Sequence, residues 1–170
     1  KDQIMVGGES AGGGLAIALT YMARDKKEVN IAYQMPLYPM IDNLDTITSK
    51  DNHGKIWNTK RNHFGWKMYL KKDAKKQDLE PYASPARQKD YSSLPPAYTF
   101  VGNGEPFFEE TRIYIENLKK TGIEASMDVY STNIHAFDIL KPSLDISKEA
   151  IKKFDAQFRY AKDHYFAKNK

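Results

Sequence analysis

Apolar and polar positions follow two rhythms along this chain. Ile4-Met5-Val6 is a short apolar run ending in Gly7-Gly8, which reads as a buried strand. Residues 11–24 follow with Ala11, Leu15, Ala18, Leu19 and Met22 at helical spacing. Residues 31–38 read as a second strand, closed by Pro36 and Pro39. Residues 43–80 are polar and Lys-rich and carry Trp57, Trp66, Tyr69 and Leu70; they read as short surface helices. A third strand, 97–101, is introduced by Pro95-Pro96. A helix over 109–120 ends with Gly122 at C′, and residues 125–130 form a fourth strand. Ile151, Phe154, Phe158, Ala161 and Tyr165 step by three and four, so the C-terminal segment reads as an amphipathic helix. Strands alternating with helices predict an α/β fold with a mostly parallel sheet, flanking helices and a ligand site at the strands' carboxyl ends.

Composition narrows the classes. The chain has 170 residues with 10 Gly, 8 Pro and no Cys. That length can bury a real core, and the balance excludes collagen, coiled coil and low-complexity disorder. Without Cys there is no disulfide, cysteine nucleophile or thiolate metal site. No apolar run reaches about 18 residues, so no membrane span is expected. The apolar part of residues 1–10 is too short for a signal peptide, and a cytoplasmic setting is the default expectation. The net charge is +4, with the basic excess in 50–90 and 141–170. Those basic residues are interleaved with acids at helix-like spacing. They read as a solvated surface, and no nucleic-acid partner is expected.

The candidate chemistry lies at the first strand–helix junction. Gly8-Glu9-Ser10-Ala11-Gly12 fits G-x-S-x-G, with an apolar strand before it and a periodic helix after it. A serine on such a turn is strained and crowded, so glycines at Gly8 and Gly12 are expected to give clearance. Ser10 is therefore the candidate nucleophile. The Ala11 N–H, at the positive end of the helix, is the candidate oxyanion donor. A base is then needed. His164 falls in the terminal helix, and His53 and His63 in the polar segment. His135 follows the fourth strand, on the same rim as Ser10. An orienting acid is expected after the third strand, where Val101-Gly-Asn-Gly-Glu105-Pro places Glu105. Glu109 and Glu110 read as first-turn helix carboxylates, with Glu109 as the alternative acid.

The order Ser10, Glu105, His135 is that of α/β-hydrolases. Several further motifs resemble the hormone-sensitive-lipase-like branch of α/β-hydrolase carboxylesterases, over nearly the whole chain. Gly8-Glu9-Ser10-Ala11-Gly12-Gly13 resembles its G-[DE]-S-A-G-G. Leu37-Tyr-Pro-Met-Ile-Asp42 resembles its L-Y-P-x-[IL]-D, Tyr82-Ala-Ser-Pro-Ala-Arg87 its P-A-R segment, and Leu94-Pro-Pro-Ala-Tyr98 its L-P-P-x-Y. Gly104-Glu105-Pro106 stands where the family has D-P, and His135-Ala136-Phe137 where it has H-G-F.

The resemblance implies a Ser10–His135–Glu105 triad acting on short-acyl esters, with no metal or cofactor. It puts the ester near Trp66, Tyr69, Phe107 and Phe137, each of which is otherwise a core residue. The family's H-G-G-G loop, which supplies the rest of the oxyanion hole, has no counterpart in these residues. The elements present correspond to strands five to eight of the family's eight. Residues 1–170 are thus expected to be a partial domain, with 43–80 as a surface or cap-like insertion. Its first strand, central in the family, becomes an edge expected to pair with a second copy or a separate N-terminal piece. The alternative is a catalytically inactive fragment.

Overall fold

Four short strands in which small, β-branched and aromatic residues predominate form one sheet with sequential order and all-parallel pairing. The computed structural model describes residues 4–166. The strands are β1 (Met5–Glu9), β2 (Tyr33–Leu37), β3 (Ala97–Gly102) and β4 (Ala125–Tyr130). The helices are α1 (Ala11–Lys26), α2 (Thr59–Leu70), α3 (Phe108–Lys120), α4 (Phe137–Leu140) and α5 (Asp145–Tyr165), with short 3₁₀ turns at 71–73 and 85–87. This is the α/β architecture expected of the alternating pattern.

Side chains sort to the two faces with the two-residue period of a strand. Tyr33, Met35, Leu37, Tyr98 and Phe100 pack with Tyr130 and Phe137, against Ala150 and Ala161 of α5. On the other face Ala97 and Ala125 meet Ile17 and Tyr21 of α1 and Tyr114, Ile115 and Leu118 of α3. Gln34 lies buried at the sheet's centre with both ends of its amide used: Nε2 donates to the Pro95 carbonyl at 2.9 Å and Oε1 accepts from the Tyr114 hydroxyl at 2.6 Å.

One pattern-based expectation is corrected, and two helices bury faces that spacing alone does not single out. Pro36 does not close the second strand; it lies inside β2, opposite Gly8. The amides of Gln34 and Tyr38, on either side of it, donate to Pro96 and Phe100. Pro36 sits in that donating row without an N–H, and the registered β2–β3 pairing shrinks to Gln34 with Ala97. In α1 the helix forms where the spacing places it, but Leu15 (60% exposed) and Leu19 (48%) face outward. The packed face runs through Gly13, Gly14, Ile17 and Tyr21. In α5, Ala161 is buried and Phe154 and Tyr165 lean on the core, whereas Ile151 and Phe158 are exposed. No helix among the described residues is long and apolar enough to cross a membrane.

Candidate active site

The β1–α1 junction forms the sharp turn that the motif demands. Ser10 has φ 54° and ψ −120°, outside the regions an L-residue prefers. Backbone bonds hold it there: its N–H donates to Leu37 at 3.0 Å, and its carbonyl accepts from Gly14 at 3.1 Å and Met40 at 2.9 Å. The glycine requirement differs from the expected one. A Cβ on Gly8 would lie 2.5 Å from the Gly12 carbonyl oxygen, so Gly8 is obligatory. A Cβ on Gly12 would meet nothing within 4 Å, whereas one on Gly14 would strike the Met40 carbonyl at 2.2 Å. The close approach on the helix side is thus Gly14 against the chain after β2.

The structure brings Ser10, His135 and Glu105 into one line. His135 Nε2 lies 2.9 Å from Ser10 Oγ, and His135 Nδ1 lies 2.5 Å from Glu105 Oε2. A carboxylate facing Nδ1 fixes the proton there, which leaves Nε2 to accept from the serine hydroxyl. His135 is 5% exposed and Glu105 fully buried. Burial pushes the Glu105 carboxyl up, opposed by its contact with His135 and by the Gly102 N–H, which donates to Oε1 at 2.8 Å. The His135 ring sits edge-to-face against Tyr38 and Phe107, with centroids 5.1 Å away in each case. Residue 136 completes the loop at φ 55°, a left-handed conformation, as the cap of α4.

The segment after β2 straps the Glu105 turn. The Asn52 amide donates to the Gly104 carbonyl at 3.1 Å and the Thr48 hydroxyl to that of Pro106 at 2.9 Å. Trp57 comes within 6.2 Å of the His135 ring and 6.4 Å of Phe107, centroid to centroid. The Asp42 and Arg87 side chains pair directly, tying two of the sequence motifs together. Glu110 is not a surface carboxylate. Its Oε1 accepts the Ile41 N–H at 2.7 Å and the Asp42 N–H at 3.2 Å inside the protein. Burial pushes its carboxyl well above the usual range.

Other sequence candidates fall elsewhere. Glu109, the alternative acid, pairs with Arg112 at 2.7 Å and 2.8 Å, not with His135. His63 meets Asp45 at 2.7 Å, His53 meets Asp51, and His164 stacks on Tyr160. The Ala11 amide, first in α1, has no carbonyl one turn back to bond. A cavity of about 200 Å³ opens beside it, walled by Leu15, Met40, Trp57, Trp66 and Tyr69 among others. Trp66 and Tyr69 therefore border it. Phe107 is buried against the His135 ring, and Phe137 lies in the core among Phe100 and Tyr130. Trp57 is also on the wall; its one signal in the sequence is an indole in a polar segment just before the helix cap Asn58.

A family profile described as alpha/beta hydrolase fold matches residues 1–139. An arylesterase of Saccharolobus solfataricus is 30% identical over 141 residues, 81% of this chain and 45% of that protein. The carboxylic ester hydrolase LipN of Mycobacterium tuberculosis is 27% identical over 141 residues, 79% and 37%. Among solved structures, a bacterial heroin esterase superposes with TM-score 0.89 at 27% identity, over 94% of this chain and 52% of that one. An esterase of Pyrobaculum calidifontis gives 0.84 at 31% identity, over 98% and 54%. The chain spans about half the length of the relatives it matches.

Proposed function

The chain belongs to the alpha/beta hydrolase fold family, and on that premise we propose that it is the nucleophile-bearing part of a serine carboxylesterase acting on short-acyl esters. The observation that carries the reading is the unbroken line from Ser10 Oγ through His135 to Glu105, with contacts of 2.9 Å and 2.5 Å. Several relatives are named as esterases, which supports the same reaction class.

The reaction follows from these positions. Ser10 Oγ attacks the ester carbonyl carbon as its proton passes to His135 Nε2. Glu105 stabilises the imidazolium through Nδ1–H. The developing oxyanion takes the Ala11 N–H at the positive end of α1. Collapse breaks the ester C–O bond, and the leaving alcohol takes the proton from Nε2. Water, activated by the same nitrogen, then releases the acid and restores Ser10.

We assign the remaining oxyanion donors to an H-G-G-G loop, which these 170 residues do not contain. Loss of even one donor costs about 10²–10³ in turnover. Slow hydrolysis of p-nitrophenyl acetate, abolished in Ser10→Ala, is the expected result. Family-like turnover by the 170-residue chain would overturn the oxyanion assignment. Residues 43–80 act in this reading as a cap beside the site. The exposed apolar face formed by Ile4, Leu19 and Val29 along β1 and α1 is covered by further elements of the same domain.

A further inference from the structure

Residues 37–42, at and beyond the carboxyl end of β2, bear on Ser10 and on His135 at once. The Leu37 carbonyl accepts the Ser10 N–H at 3.0 Å, and the Met40 N–H donates to the Ser10 carbonyl at 2.9 Å. The Met40 carbonyl abuts Gly14 of α1. Tyr38 is fully buried, and its ring stands edge-to-face on the His135 ring, centroids 5.1 Å apart. The segment does not take this shape by its own preference. Tyr38 has φ 33°, on the left-handed side that a residue with Cβ avoids. Such a conformation persists only where the surroundings over-determine it.

The near end of the turn is fixed by the Tyr38 N–H, which donates to the Phe100 carbonyl at 3.0 Å. Two groups grip the far end. Residues 84–87 hold the Ile41 carbonyl, through the Ala86 N–H and the Ser84 hydroxyl at 3.0 Å each, and the Asp42 side chain, through Arg87. Glu110 of α3 takes the amides: its Oε1 accepts from Ile41 at 2.7 Å and from Asp42 at 3.2 Å. The carboxyl is 3% exposed, and its Oε2 has no hydrogen-bond partner among the described residues. A half-satisfied buried carboxyl is costly. What it provides is one oxygen shared by two consecutive amides, which pins the two peptide units that follow Met40.

We infer that Glu110 is a positioning residue for Ser10 and His135: by gathering the Ile41 and Asp42 amides on one oxygen it locks the strained turn at 37–42, and with it the nucleophile's backbone and the ring that faces His135. Glu110 touches neither reacting group and acts through Met40 and Tyr38. The inference rests on the esterase reading for what Ser10 does, and not for the geometry that holds it.

Glu110→Met keeps the volume and removes the acceptor, whereas Glu110→Gln keeps both. Ile115→Val, a core truncation on the same helix, serves as a control for stability alone. Two quantities are read in the 170-residue chain: fluorophosphonate labelling of Ser10, and amide hydrogen exchange at Met40 and Ser10. Glu110→Met is expected to lower the limiting labelling rate by about 10- to 10²-fold, the cost of an ångström-scale misplacement, with little change in the half-saturating concentration. It is also expected to speed exchange at Met40 and Ser10 by about tenfold or more relative to the amides of β3. Glu110→Gln is expected to recover most of both losses, and Ile115→Val to stay within about threefold of the parent. Parent-like labelling in Glu110→Met, no rescue by Glu110→Gln, or an equal loss in Ile115→Val would each overturn the inference. Should Glu110→Met not fold, exchange in the parent decides: the Ile41 and Asp42 amides are expected to be as protected as that of Met40, and free exchange at either overturns the inference. A parent chain that leaves Ser10 unlabelled refutes the esterase reading instead, and exchange at Met40 and Ser10 in Glu110→Met then decides the positioning: faster exchange upholds it, and unchanged exchange overturns it.

Discussion

Glu105 reaches His135 with Oε2 2.5 Å from Nδ1 while Oε1 holds the Gly102 amide at 2.8 Å. Both oxygens are committed, so the turn itself accommodates the full length of the Glu105 side chain. Glu105→Gln keeps the length but offers an amide. An N–H₂ facing Nδ1 removes the acceptor and selects the wrong imidazole tautomer, and the corresponding change in a serine-protease triad costs about 10⁴ in turnover. A loss of that order is expected in the rate of Ser10 phosphonylation. A rate within threefold of the parent would rule out Glu105 as the orienting acid.

The residue after His135 carries a cost of its own. Ala136 has φ 55°, where a side chain with Cβ is strained by about 1–2 kcal/mol. Glycine relieves this and loses part of the gain to its freer unfolded chain. Ala136→Gly is expected to raise stability by about 0.5–1 kcal/mol, read as a higher urea midpoint with an unchanged slope. A lower midpoint would contradict the strain.

Glu110 should make stability depend on pH. Its carboxyl is pushed well up by burial, against the lowering effect of the Ile41 and Asp42 amides. The folded state therefore holds this proton more tightly than the unfolded chain. The resulting stability is complete below the ordinary Glu value of about 4.3 and is lost as pH rises through the folded value. Glu110→Gln cannot ionise and still offers an acceptor to the two amides. Relative to this variant, the parent chain is expected to weaken steadily as pH increases from acid toward neutral. A pH-independent difference between the two in urea titrations would contradict the buried-acid account.

The apolar face along β1 should be sticky when left uncovered. The 170-residue chain is expected to self-associate in sedimentation at micromolar concentration, and Leu19→Lys to reduce that association. A stable monomer would argue against the face being one that the rest of the domain covers.

Much of the site was legible in the sequence because its parts are local. The elbow is five consecutive residues, and Glu105 and His135 each follow a strand that the apolar runs mark clearly. What stayed hidden was tertiary. Leu15 and Leu19 have the right spacing for a buried stripe, but the sheet packs on Ile17 and Tyr21. Pro36 reads as a strand end, yet its neighbours carry β2 through it. Glu110 reads as a first-turn helix carboxylate, which it is, but only folding brings the Ile41 and Asp42 amides onto it. Trp57 meets His135 across 78 positions of sequence, a distance no periodicity reports.

The central claim is that His135 and Glu105 make Ser10 a nucleophile. The most direct measurement treats the purified chain with a fluorophosphonate and maps the adduct by peptide mass spectrometry. The account requires one adduct, on Ser10, absent from Ser10→Ala and formed about 10³-fold or more slowly in His135→Gln. Labelling at another residue, or labelling of Ser10 at an undiminished rate without His135, would contradict it.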